Sequence, residues 1–220
     1  MHRDIKPENL VFDSNGYLLL TDFGIAKRLP ETDPSSPIAK DHYGVVDTSG
    51  TPGYMSPEAM CKLPQRFESD FFAIGVMVYE MMYRRRPYWG QNKNQIRDAM
   101  LAKQVQIRAN EIAEGWTIEA ADFTNKLIRR KPANRLGFNH GIQELKNHYW
   151  FKGFDWESLQ NKTMKAPWIP PNGDNFKGKN LEFRDENVVE MQEAEILVRR
   201  ETVQQLFDGF FFDMSGPLSE

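Results

Sequence analysis

Two short apolar runs lie near the start of the chain, Leu10-Val11-Phe12 and Tyr17-Leu18-Leu19-Leu20, separated by Asp13-Ser14-Asn15-Gly16. Asp, Ser, Asn and Gly favour the conformations that reverse a chain, so the pattern predicts a hairpin. From Lys27 to Asp47 the apolar period vanishes and Pro30, Pro34 and Pro37 interrupt a polar stretch. This predicts a long loop, and long loops in compact domains are functional or disordered. Residues Asp70 to Tyr83 are apolar on nearly every face, which at this length predicts a helix buried in the middle of a domain. Ile96, Met100 and Leu101 mark an amphipathic helix, Ala121, Phe123, Leu127 and Ile128 another ending near Pro132, and Ile142 with Leu145 a short third. After Trp156 the chain turns to Pro167, Pro170, Pro171, Asn172 and Gly173, an extended composition, so the domain proper is expected to end near Phe154.

Composition narrows the class. A chain of 220 residues, 40% hydrophobic and 12% aromatic, can build one globular domain with a real core. A net charge of -3 attracts neither nucleic acid nor a membrane surface, so neither is expected as a partner. The run Arg84-Arg85-Arg86 reads as a solvated cap at a helix C-terminus, where cations suit the dipole. Cys61 is the only cysteine, which excludes an internal disulfide framework or a thiolate metal site and makes a reducing compartment the default. No apolar stretch approaches the roughly 18 residues of a membrane helix. The chain begins with a charged loop rather than a signal peptide, and a cytoplasmic protein is expected. His2, His42, His140 and His148 show no metal-ligand spacing.

Candidate chemistry is concentrated at the start. His2-Arg3-Asp4-Ile5-Lys6-Pro7-Glu8-Asn9 combines a candidate base, a cation and a metal-binding amide, and Asp22-Phe23-Gly24 lies thirteen residues beyond Asn9, across the predicted hairpin. Phosphoryl transfer needs charge neutralisation on the phosphates and a carboxylate to orient the attacking hydroxyl, without a covalent intermediate. The two motifs at this spacing resemble the catalytic loop and metal loop of protein kinases. The resemblance runs through most of the chain and implies an α+β, mainly helical fold: the kinase large lobe, with a short β-hairpin at the catalytic site. It implies a kinase domain over 1–154, large lobe only, and a C-terminal tail over 155–220. Only Met1 precedes the catalytic loop, so the small lobe is expected to be missing, with its glycine-rich loop, strand lysine and helix glutamate. Without that lobe, ATP affinity is expected to be weak and the upper face apolar and exposed.

By the same resemblance, Asp4 is the base that accepts the substrate hydroxyl's proton. Lys6 is the cation beside the transferring phosphoryl group, and Asn9 and Asp22 hold Mg2+, so Lys6, Asn9 and Asp22 face ATP. Magnesium prefers hard oxygen ligands, which an amide and a carboxylate supply. Gly50-Thr51-Pro52-Gly53-Tyr54-Met55-Ser56-Pro57-Glu58 resembles the substrate-facing segment, with Ser56 where alanine is usual. There Thr51 bridges Asp4 and Lys6, which favours serine and threonine over tyrosine as acceptors, and Pro52 faces the substrate. Glu58 is expected to pair with a buried Arg135, and Asp70 to brace the catalytic-loop backbone. Arg3 and Lys27 resemble the cationic pocket that grips a phosphorylated activation loop. The matching position is Asp47, which leaves two readings: a built-in carboxylate, or phosphorylation at Thr48, one residue out of register. Glu8 and Glu80 match positions that face upstream arginines in basophilic relatives.

Asn134-Arg135-Leu136-Gly137, His148-Tyr149-Trp150-Phe151, Ala166-Pro167-Trp168-Ile169-Pro170 and Phe207-Asp208-Gly209-Phe210-Phe211-Phe212 together look AGC-like. In that group a serine or threonine often follows the second phenylalanine of the terminal FxxF motif; here Phe211 stands there. In the tail Val189, Ile196, Val203 and Phe210 recur every seven residues, but Gln192, Arg199 and Leu206 fill the half-heptad positions. The tail is therefore read as a helix packed on its own domain or the missing half, ahead of a coiled-coil dimer. The function implied is a serine/threonine kinase acting on proteins with ATP and Mg2+, Arg-directed, with an upstream activating kinase as a partner. The alternative is a non-catalytic half-kinase that binds partners through its peptide groove.

Overall fold

In the computed structural model, which describes residues 1–29 and 44–171, a 3-10 turn at Pro7–Asn9 runs directly into an antiparallel hairpin of β1 (Leu10–Phe12) and β2 (Leu18–Leu20). The register pairs Leu10 with Leu20, Val11 with Leu19 and Phe12 with Leu18. Asp13 makes the reversal, its Oδ1 accepting from the Asn15 and Tyr17 N–H groups at 2.9 Å each.

Among the described residues six α-helices follow: α1 (Pro57–Met60), α2 (Glu68–Tyr83), α3 (Lys93–Ala102), α4 (Ile118–Leu127), α5 (Ile142–Lys146) and α6 (Trp156–Gln160). Four of their starts are capped by residue types that compete poorly inside helices. Ser56, Asn92, Thr117 and Asp155 each accept a main-chain N–H of the first turn of α1, α3, α4 and α6. The helix predicted over 70–83 begins two residues earlier, at Glu68, and buries eleven side chains or glycines of its sixteen residues. On α3 the buried residues are Ile96 and Met100, while Leu101 faces out; on α5 Leu145 is buried and Ile142 exposed.

The core lies where α2 meets α4. Phe72, Val76, Leu127 and Ile128 are fully shielded from solvent there. Gly75 is what lets the two helices approach. A Cβ at that position would lie 2.6 Å from Leu127 Cβ and 2.9 Å from Ile128 Cγ2. Gly75→Ala is expected to destabilise by about 1–3 kcal/mol through overpacking, outweighing the helix-propensity gain of about 1 kcal/mol. A urea midpoint at or above that of the parent chain would show that the helices can separate at no cost.

Two places differ from the sequence pattern. Arg84 and Arg85 are the expected exposed cap, Arg84 closing α2 in the left-handed conformation at φ 56°. Arg86 instead turns back over the Tyr54 ring, its Cζ 5.7 Å from the centroid, because Gly53 leaves room for the guanidinium. The chain after Phe154 first forms α6, then runs on without regular secondary structure and folds onto the hairpin. Tyr17 donates its hydroxyl to the Met164 carbonyl at 2.5 Å, and Phe12 meets Trp168 edge-on at 4.9 Å. These contacts carry the compact unit on to Pro171. Pro30, Pro34 and Pro37, the seven-residue recurrence at Val189 to Phe210, and Phe207 to Phe212 lie outside the described residues.

Above the hairpin the surface is apolar. Val11, Phe12, Leu18 and Leu19 are exposed, and Phe23 is 64% exposed. Behind Phe23 lies an open hollow of about 510 Å³ walled by Leu20, Phe67, Phe71 and Ile74. Among the described residues no helix is long and apolar enough to cross a membrane.

Candidate active site

The first turn of α2 supports the catalytic-loop segment from beneath. Asp70 Oδ2 accepts the His2 N–H and Oδ1 the Arg3 N–H, both at 2.8 Å. These bonds hold Arg3 at φ 75°, in the left-handed region where a side chain is strained. His2 is buried. Its Nε2 lies 3.0 Å from the Thr21 carbonyl and its Nδ1 takes the Asp4 N–H at 3.3 Å, an arrangement satisfied by the tautomer with the proton on Nε2.

The Asp4 carboxylate is the hub. Its Oδ1 accepts the Thr51 N–H at 2.9 Å and the Thr51 hydroxyl at 2.7 Å. Its Oδ2 lies 2.8 Å from Lys6 Nζ and 3.2 Å from Asn9 Nδ2. Lys6 Nζ also donates to Thr51 Oγ1 at 2.8 Å, so the hydroxyl receives from the amine and gives to the carboxylate. Burial pushes the Asp4 carboxyl up, but the hydrogen bonds from Lys6 and Thr51 outweigh it and hold the group below the ordinary aspartate value.

Asn9 is buried, its Nδ2 tied to the Asp4 carbonyl at 2.8 Å, which leaves the amide oxygen as the atom it can offer a cation. Asp22 lies beyond β2, exposed, at φ 62°, with Oδ1 accepting the Gly24 N–H at 3.1 Å. Phe23 stacks edge-on against His2 at 5.1 Å, linking the two motifs. Short hard-oxygen donors on either side of the hairpin fit magnesium better than a softer metal. Among the described residues no cluster of His, Cys, Asp and Glu competes for a metal.

Arg3 Nη1 meets Asp47 Oδ2 at 2.7 Å and Lys27 Nζ lies 3.8 Å from the same oxygen. The Thr48 carbonyl accepts from Lys93 Nζ at 2.8 Å. Farther down, Arg135 grips Glu58 with both arms, Nη1 to Oε1 at 2.6 Å and Nη2 to Oε2 at 3.0 Å. Glu80 Oε2 accepts the Tyr54 hydroxyl at 2.6 Å, Glu8 is exposed, and Pro52 is half-buried beside Thr51. Burial and the Glu80 carboxylate push the Tyr54 hydroxyl up, so it remains the donor.

Residues 1–151 of the chain match the protein kinase domain. The chain belongs to the protein kinase family. This kinase chain is 32% identical over 191 residues to the serine/threonine-protein kinase Sgk1 of Gallus gallus, covering 86% of its own length and 41% of that protein. It is 34% identical over 171 residues to Sgk1 of Bos taurus, covering 77% and 36%. To sgk-1 of Caenorhabditis elegans it is 31% identical over 173 residues, covering 77% and 34%. It thus spans about two fifths or less of these relatives.

Several partners in the kinase site had no signal in the residue pattern. Ser69 donates to Glu58 Oε1 at 2.7 Å, and Gln65 Nε2 donates to the Asp47 carbonyl at 2.5 Å. Both depend on contacts far apart in sequence. Ser49 was legible in principle, because a serine two residues after an aspartate commonly donates back to it.

Proposed function

We propose that the chain is the large lobe and tail of a serine/threonine protein kinase that transfers the γ-phosphoryl group of ATP to serine or threonine of protein substrates in the cytoplasm. The observation that carries this is the Thr51 hydroxyl held between Asp4 and Lys6 at 2.7 and 2.8 Å. It narrows the space beside the carboxylate and suits a short aliphatic hydroxyl better than a phenol. Asp4 orients that hydroxyl and accepts its proton. A carboxylate held below its ordinary value is ionised at neutral pH yet only a weak base, which fits a loose transition state where the proton leaves late. Lys6 lies beside the same carboxylate and faces the charge that builds up on the transferring oxygens.

Asn9 and Asp22 would hold Mg2+, which would neutralise charge on the phosphates of ATP, the donor of the phosphoryl group. A small lobe would close over the nucleotide and cover the exposed apolar residues of the hairpin and Phe23. Glu8 and Glu80 favour substrates with arginine upstream of the acceptor.

The test is phosphoryl transfer by protein isolated from its own cells with an antibody to residues 185–220. With Mg-ATP it is expected to label Ser and Thr peptides, Arg-containing ones first, and to spare Tyr peptides. Labelling of tyrosine alone, or none at all, would reject the reading.

A further inference from the structure

The segment from Asp47 to Thr51 runs between two anchored ends. At the first, Asp47 Oδ2 holds Arg3 Nη1 at 2.7 Å, and Oδ1 accepts the Ser49 N–H at 3.1 Å and Oγ at 2.9 Å. Its carbonyl accepts Gln65 Nε2, and Gln65 is buried and paired with Val45 through two main-chain bonds of 2.9 and 3.0 Å. At the other end Thr51 gives both its N–H and its hydroxyl to Asp4. In between, Gly50 at φ 120° passes so close to Arg3 that a Cβ there would lie 2.7 Å from the Arg3 carbonyl oxygen. The segment is therefore in contact with the Arg3 main chain as well as its side chain.

Arg3 itself cannot turn away. Its side chain is 4% exposed and its Nε donates to the Ile25 carbonyl at 2.6 Å. A guanidinium held this deeply is costly unless an anion meets it. Asp47, 31% exposed, with Lys27 on the solvent side, is that anion. The Arg3 hydrogen bond, followed by that from Ser49, holds the Asp47 carboxyl far below its ordinary value.

We propose that Asp47 is a positioning residue, the built-in anion of the Arg3–Lys27 pocket, which sets Thr51 against Asp4 and Lys6 with no phosphoryl group on the segment. Arg3 Nε is taken by the Ile25 carbonyl and Nη1 by Asp47 Oδ2, with Lys27 Nζ 3.8 Å from the same oxygen, so a carboxylate of the chain already stands where the cations of the pocket converge. The group that Arg3 and Lys27 hold is Asp47 Oδ2, while the Thr48 carbonyl accepts from Lys93 Nζ. The proposal rests on the phosphoryl-transfer reading for what Thr51 does, but its test does not.

Amide hydrogen exchange on the full chain tests it, before and after phosphatase treatment and in Asp47→Asn and Asp47→Glu. Phosphatase is expected to change nothing. Asp47→Asn is expected to speed exchange over residues 49–52 about tenfold while α2 and α4 keep their protection, and Asp47→Glu to restore most of what is lost. An Asp47→Asn chain that unfolds altogether beside a protected Asp47→Glu chain supports the same conclusion, since only the charge differs in kind. Unchanged exchange in Asp47→Asn, equal loosening in both variants, or loss of protection on phosphatase treatment would each overturn it. A chain that shows the expected exchange but transfers no phosphoryl group would overturn the kinase reading and leave the anchoring by Asp47 intact.

Discussion

Arg135→Ala is expected to destabilise the lobe by about 3–5 kcal/mol, enough to unfold a marginal domain, because it strands a charge where water cannot reach. Glu58 and Arg135 are 4% and 2% exposed. The guanidinium also donates to the Glu68 carbonyl at 2.7 Å and to the Arg129 carbonyl at 3.0 and 3.1 Å, and lies 5.1 Å from the Phe72 ring centroid. Removing it leaves the buried Glu58 carboxylate with the Ser69 hydroxyl but no cation, and takes a donor from the Glu68 and Arg129 carbonyls. A Glu58→Leu, Arg135→Met double variant removes the charge problem but not the carbonyl problem, so it should recover only part of the loss. Thermal or denaturant unfolding decides this, and a shift of only a degree or two in the single variant would refute it.

The same pair sets part of the acid limit. Burial pushes the Glu58 carboxyl up, but Arg135 and Ser69 outweigh it and hold the group below its ordinary value of 4.5. A depressed carboxyl contributes stability that is fully present above its unfolded value and is lost as pH falls through the folded one. The parent chain should therefore lose stability as pH falls below about 4.5. Glu58→Gln should flatten that limb while lowering stability at neutral pH.

Asp4→Asn is the second large effect expected, a fall of about 10²–10⁴-fold in phosphoryl transfer, the usual worth of a placed base. The amide keeps the shape but cannot take the proton, and it cannot neutralise Lys6 at 2.8 Å. Peptide binding should change little, so the loss should appear in kcat rather than KM. A variant retaining more than about a tenth of the parent rate would mean that Asp4 is not the base.

The hairpin, the central helix and the three amphipathic helices were legible because each carries its own period or turn residues over enough positions. The helix α1 was not. Its four residues are too few for any periodicity, and only the Ser56-Pro57 cap marks it. The helix α6 was lost to the proline-rich composition around it, although Asp155 caps it. Asp4, Lys6 and Thr51 were named together through resemblance to known sequences, and the fold brings them within hydrogen-bond reach. Nothing local announced that Gln65 would reach Asp47, that Arg86 would lie over Tyr54, or that Trp168 would meet Phe12. Those pairs exist only once the chain has closed on itself, and no pattern within a few residues encodes them.

Among the described residues five non-glycine residues adopt positive φ, and three of them, Lys62, Arg84 and Lys162, merely close helices. Asp22 is of a type that tolerates this conformation, whereas Arg3 is not and is strained by about 1–2 kcal/mol. A laboratory selection for heat resistance alone would still pass over Arg3→Gly, which relaxes the backbone but takes from Asp47 and the Ile25 carbonyl the guanidinium they share.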